Sequence, residues 1–166
     1  MDDPNPATTS NPPPALTSGR APVTSAVTRG VARLLHHQGC AVLHEVKLAN
    51  RRRADLMALS PKGVVTIVEI KSCQADFDVD EKWEEYLEFC DHFFFGVAED
   101  FPQPVLPDEE GLIIADRFGA GIVREGPARP LNAARRKAVT LRFARQAAFA
   151  ATGLRQPADF FGAHRR

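Results

Sequence analysis

Apolar positions along the chain follow two periods, and the switches between them mark out the elements. Val27, Val31, Leu34 and Leu35 recur at helical spacing with Gly39 as the stop, which predicts a first helix over about 24–38. Cys40 to Leu48 alternates loosely as a strand, and Asn50 to Arg52 suits a turn. Arg53–Leu59 and Gly63–Lys71 read as the second and third strands. Between them, Ser60-Pro61-Lys62-Gly63 places Pro second and Gly fourth, as a type I turn prefers, so the two strands form a hairpin. Val64, Val65, Ile67, Val68 and Ile70 make a nearly continuous β-branched run, typical of a central strand covered on both faces.

A second helix is expected over about 75–90, with Val79, Trp83, Tyr86, Leu87 and Cys90 on one face and Glu81, Glu84, Glu85 and Glu88 on the other. Phe93–Val97 reads as a fourth strand, Leu112–Ala115 and Gly121–Arg124 as short further ones. A last helix, about 132–150, carries Arg135, Arg136, Lys137, Arg142 and Arg145. The flanks differ in kind. Residues 1–22 hold Pro4, Pro6, Pro12, Pro13 and Pro14 among small polar residues and bury too little to order themselves. That leaves one domain over 23–152 and a basic tail over 153–166, in keeping with a length of 166 residues.

Composition mostly excludes. No apolar run reaches about 18 residues, so no membrane span is expected. Residues 1–21 lack the apolar centre of a secretory signal, which points to the cytoplasm. Cys40, Cys73 and Cys90 are widely separated and fit neither a disulfide framework nor a zinc knuckle, and the five histidines show no ligand spacing. Net charge is zero, yet its distribution is uneven. Arg20 to Arg53 holds seven basic residues against Glu45 alone, and Asn132 to Arg166 holds eight against Asp159. Between Glu69 and Glu110 lie fourteen acids, with only Lys71 and Lys82 opposing them. Such segregation predicts a molecule with opposite faces, one suited to phosphate.

Chemistry concentrates in Arg53-Ala54-Asp55-Leu56, the hairpin, and Val68-Glu69-Ile70-Lys71. Alternation puts Glu69 and Lys71 on one face, and the hairpin sets Asp55 roughly opposite Glu69, where Cβ atoms lie about 4.5–5.5 Å apart. Two carboxylates that close repel unless a cation lies between them, and oxygen ligands select Mg²⁺ or Mn²⁺. Lys71 would orient a water or stabilise charge developing on phosphate. A salt bridge between Glu69 and Lys71 is the plainer reading, although charges in a core strand are costly without partners.

This arrangement resembles the PD-(D/E)XK nuclease superfamily: Asp55, then Glu69-Ile70-Lys71, within a helix–strand–strand–strand–helix–strand order. The Arg-Arg-Arg-Ala-Asp stretch, the Glu-Ile-Lys-Ser run and the acidic Trp- and Tyr-bearing helix resemble more particularly the MmcB-type DNA repair proteins. The resemblance implies an α/β, restriction-endonuclease-like αβββαβ core with a C-terminal basic helix. It also implies metal-dependent hydrolysis of DNA phosphodiesters, with Asp55 and Glu69 as motif acids and Lys71 as motif lysine. Ala54 replaces the motif proline, which supplies no ligand. Many members add an acid on the first helix; here Glu45 is the nearby upstream acid, either a third ligand or a solvated partner of Lys47 or an arginine. Gln74 matches a glutamine that some members bring to the site, and is equally a helix-entry residue.

Arg51, Arg52 and Arg53 stand at the cleft mouth, and Arg135 and Arg142 on the last helix; all five are candidates for contacts to DNA phosphate, which confer affinity without sequence choice. Asp76, Asp78 and Asp80 lack the Gly and closing Glu of a calcium loop and suit a helix N-terminus instead. A repair nuclease is the leading expectation. A catalytically silent DNA-binding scaffold and an RNA-directed nuclease are the competing ones, and a homodimer or a repair-protein partner is a further expectation.

Overall fold

Backbone pairing gathers β1 (Ala41–Lys47), β2 (Arg53–Leu59), β3 (Val65–Lys71), β4 (His92–Val97), β5 (Gly111–Ala115) and β6 (Ala120–Arg124) into one six-stranded sheet in chain order. The computed structural model describes residues 20–78 and 82–153; of the expected tails over 1–22 and 153–166, residues up to 19 and from 154 lie outside the described residues, while 20–22 already belong to the first helix. β1, β2 and β3 are antiparallel, β3, β4 and β5 parallel, and β5 and β6 antiparallel. Helix α1 (Arg20–His37) precedes the sheet, α2 (Gln74–Asp78) and a 3₁₀ helix (Trp83–Phe89) cross from β3 to β4, and α3 (Ala133–Thr152) closes the described chain. This is a mixed α/β sheet flanked by helices, with a C-terminal helix, as the resemblance implies. Among the described residues no helix is long and apolar enough to cross a membrane.

Local chemistry explains most boundaries. Gly39 adopts a left-handed φ of 79°, so the Cys40 N–H reaches Leu35 O and its own N–H reaches His36 O, the paired bonds that end a helix at a glycine. In the β2–β3 hairpin the Gly63 N–H donates to Ser60 O at 2.9 Å, closing the expected turn. Asn132 caps α3 by accepting the Arg135 N–H at 2.8 Å.

One expected element is different. The continuous helix over 75–90 is instead the short α2 and a separate 3₁₀ helix, with Val79, Asp80 and Glu81 outside the described residues. Trp83, Tyr86 and Phe89 recur every three residues, matching the 3.0-residue turn of a 3₁₀ helix rather than the 3.6 of an α-helix. Tyr86 and Phe89 are buried, and Trp83 and Tyr86 both stack on Phe93. A single 3₁₀ turn at Gln103–Val105 has no counterpart in the sequence pattern.

The sheet is covered on both faces. On one, Val27, Val31 and Leu35 of α1 pack on Leu56, Val68, Ile70, Phe94 and Ile113. On the other, Tyr86, Phe89, Val139 and Phe143 from the 3₁₀ helix and α3 pack on Met57, Ile67, Phe93, Phe95 and Leu112. β3 is therefore buried on both sides, as its β-branched run requires. α3 also clasps the outer strand β1: the Gln146 amide accepts the Lys47 N–H at 3.0 Å and donates to Lys47 O at 2.9 Å.

Candidate functional site

The carboxyl ends of β3, β4 and β5 define the upper end of the sheet, where ligands of open α/β sheets commonly bind. β2 and β3 are in register from Leu59↔Val65 to Leu56↔Val68, and the next step brings Asp55 opposite Glu69. There the ladder gives way to a side chain: Asp55 Oδ2 accepts the Ile70 N–H at 2.8 Å. Alternation also breaks at this level on both β1 and β2. Leu43 and Val46, three residues apart, pack into the same core, and so do Met57 and Ala54. Between them stand Glu45, with a left-handed φ of 55°, and Asp55; ladder pairs His44↔Leu56 and Val46↔Ala54 flank the two acids. A non-glycine residue held left-handed costs about 1–2 kcal/mol, so packing on either side of Glu45 imposes the kink.

Glu69 and Lys71 share the β3 face that carries Val65 and Ile67, and both are buried. The Lys71 Nζ donates to Glu69 Oε1 at 3.3 Å. Burial pushes the Asp55 carboxyl above the ordinary aspartate range, against the Ile70 N–H and the positive charge of Lys71, which pull it down. Glu45 adds a smaller upward push, and Arg53 a downward one. Asp55, Glu69 and Lys71 are thus brought together. A charged cluster held in a core strand at a strand end is what a site requires and what a stable sheet avoids.

The other candidates lie around this centre. Glu45 is exposed and pairs with Arg53 at 2.7 Å. Gln74 is exposed at the first position of α2, and among the described residues no hydrogen bond or ion pair joins it to the acids or to Lys71. Arg51 is exposed with a φ of 72°. Arg52 meets Glu85 through two guanidinium nitrogens, at 2.8 and 3.2 Å, and this contact lowers the Glu85 carboxyl. Arg135 pairs with Glu88 at 3.4 Å and lies over the Phe89 ring. Arg142 is half-buried, and burial lowers its guanidinium from its usual range.

Charge separation along the chain is locally offset where the basic turn and α3 meet the acidic segment. The basic turn and α3 are laid against the acidic 3₁₀ helix, whose Glu85 and Glu88 neutralise Arg52 and Arg135. The acidic 3₁₀ helix between β3 and β4 packs on those strands and on α3, which brings its glutamates beside these arginines.

Two positioning groups were not anticipated. Tyr86 donates its hydroxyl to Arg53 O at 3.1 Å, fixing the backbone two residues before Asp55. Asn50 accepts the Arg52 N–H at 3.1 Å and donates to Glu85 O at 3.2 Å, shaping the turn below the arginines. Asn in a turn carries a recognisable signal of this kind; the reach of Tyr86 does not.

The donor set suits a hard cation in part. Mg²⁺ binds through one or two carboxylates and retains several waters, which Asp55 and Glu69 could provide. Among the described residues no group of three or more His, Cys, Asp and Glu side chains is placed to hold a metal, so an all-protein cage is not formed.

A mixed α/β domain with an acid–acid–lysine cluster at strand ends is the class that fold and site define. The family model described as DNA repair protein MmcB-like matches residues 11–158, and the chain belongs to this MmcB-like family. Among solved structures it is similar to the SPO1766 protein of unknown function from Silicibacter pomeroyi, at 42% identity and a TM-score of 0.75, covering 86% of this chain and 97% of that one. No curated protein matches.

Proposed function

We propose that this chain acts on DNA in repair as a metal-dependent phosphodiesterase, with Mg²⁺ or Mn²⁺ held by Asp55 and Glu69. The observation that carries this reading is the buried Glu69–Lys71 pair beside Asp55 at the end of a core strand. When bound, the ion supplies water activation and neutralises phosphate charge. The chain's own residues supply the rest. The Ile70 N–H fixes the aim of Asp55, and Lys71 places a desolvated positive charge where phosphoryl oxygens would gain negative charge. Arg51 and Arg53, exposed at the mouth, would hold flanking phosphates.

Calorimetry with Mn²⁺, combined with nicking of branched and duplex DNA, tests this on wild type, Asp55→Ala, Glu69→Ala and Lys71→Ala. Metal binding lost in both acid variants, with nicking down roughly 10²–10³-fold in Lys71→Ala, is the expected result. A second reading, a nuclease-fold scaffold without turnover, is favoured by one observation: Glu45 is drawn to Arg53, and no three-acid group forms among the described residues. Tight metal-independent DNA binding without cleavage would select the scaffold. Competition between DNA and RNA would decide the nucleic acid.

A further inference from the structure

The turn joining β5 to β6, Asp116-Arg117-Phe118-Gly119, is fixed from several sides while its aromatic ring is left outside. Asp116 Oδ1 accepts the N–H groups of Phe118 and Gly119, each at 2.8 Å, and these bonds lower its carboxyl below the usual range. The Asp116 N–H donates to Gly119 O at 2.9 Å. Arg33 of α1 donates to Phe118 O at 2.7 Å. α1 itself presses on the turn at Gly30, where a Cβ would lie 2.2 Å from Asp116 O and 2.5 Å from Gly119 O, so only glycine allows the approach.

A backbone held this firmly could easily have turned its apolar side chain inward. Instead Phe118 is 67% exposed, the most exposed large apolar side chain among the described residues. The Arg117 guanidinium lies 4.4 Å from the ring centroid. Arg33 and Arg29 are exposed on the adjoining helix, and α1 contains no acid from Arg20 to His37. Asp116, the one acid of the turn, is engaged by the turn's own backbone. The turn also leaves the upper end of β5, the same end as Asp55 and Glu69, and β5 lies two strand spacings, about 10 Å, from β3.

From this we infer that Phe118 is a stacking platform for an unpaired nucleobase of DNA, with Arg117 and Arg33 attracting the adjacent phosphates. A rigid, preformed aromatic flanked by arginines is the chemistry that single strands use, because every base offers a π-face and every linkage a negative charge. A duplex, whose bases are stacked on one another, gains nothing from the ring. The platform gives the centre a preference for branched, frayed or gapped DNA, and so deepens the proposed function, on whose DNA-binding reading it rests.

The test is fluorescence anisotropy of full-length protein with labelled single-stranded and duplex DNA, without divalent ions, on wild type, Phe118→Ala and Phe118→Tyr. Phe118→Ala should bind single strands roughly 5- to 150-fold more weakly, with duplex affinity and Tm unchanged, while Phe118→Tyr retains wild-type affinity. A strand carrying 5-iodouracil should photo-crosslink to residue 118. Unchanged single-strand affinity in Phe118→Ala overturns the platform and leaves DNA action by the Asp55 centre standing. Equal loss on single strand and duplex also overturns it. Wild type that binds neither form defeats this inference and the DNA reading together.

Discussion

At the lower end of β3, Asp91 accepts the Val65 N–H at 2.8 Å, the Leu131 N–H at 2.9 Å and two nitrogens of Arg136 at 2.7 and 2.8 Å. At the upper end, Asp55 accepts the Ile70 N–H and otherwise faces Lys71, Glu45 and Arg53 across space. Both are acids on or beside core strands, and burial pushes both carboxyls upward. Around Asp91 the opposing hydrogen bonds prevail and hold it down at about 2; around Asp55 burial prevails and it stays raised. The lower end is also tied by a second pair, Glu110 with Arg129. One end of the sheet holds its acid down with hydrogen bonds and stabilises the fold; at the other, burial outweighs the Ile70 N–H and the Asp55 carboxyl stays raised.

The largest effect should come from dismantling the lower end. Asp91→Ala strands the Arg136 guanidinium, the buried Val65 N–H and the half-buried Leu131 N–H, and should cost about 3 kcal/mol in urea unfolding. A loss under 1 kcal/mol would mean the lower end is no anchor.

Acid should act through the same residue. Because its native pKa is depressed, the stability Asp91 contributes is complete above the ordinary aspartate value of 3.8 and is lost as pH falls through about 2. The stability gap between wild type and Asp91→Asn should therefore shrink across that window, as read from melts at stepped pH.

Asp55 should respond with the opposite sign. A raised native pKa favours the protonated form, so its contribution is fullest in acid and is lost as pH rises through the native value. Asp55→Asn retains an acceptor for Ile70 and removes the penalised charge. In metal-free buffer at neutral pH, Tm should rise by about 2–4 °C, equivalent to about 1 kcal/mol. A fall in Tm would erase the contrast between the two ends.

The smallest stability effect belongs to the site's rim. Arg53 and Glu45 are exposed, so Arg53→Ala should change stability by no more than about 0.5 kcal/mol while weakening DNA binding and its salt dependence. Equal loss of stability and binding would make the pair structural.

How much of this was legible in the chain depends on range. Gly39, the Pro61–Gly63 turn and the β-branched run of β3 act within a few residues, and α1 and the first three strands follow from them. The hairpin likewise carries Asp55 to Glu69, since register follows from the turn. What escaped is set by neighbours distant in sequence. The kink at Glu45 arises from packing on both sides of a strand whose alternation is already loose. The 3₁₀ helix was hidden because Glu-rich spacing fits an α-helix equally well until Tyr86 and Phe89 meet Phe93 and the sheet. Asp91 gave no signal at all, because its partners Leu131 and Arg136 lie 40 and 45 residues away.

The clasp of Gln146 on Lys47 bears on how copies of this protein could meet. By occupying the backbone donor and acceptor of Lys47, the amide blunts that end of β1 against strand addition. β6 forms the opposite border, with Gly121 and Val123 exposed along it. A strand adding at that end of β1 would have to displace the Gln146 amide first.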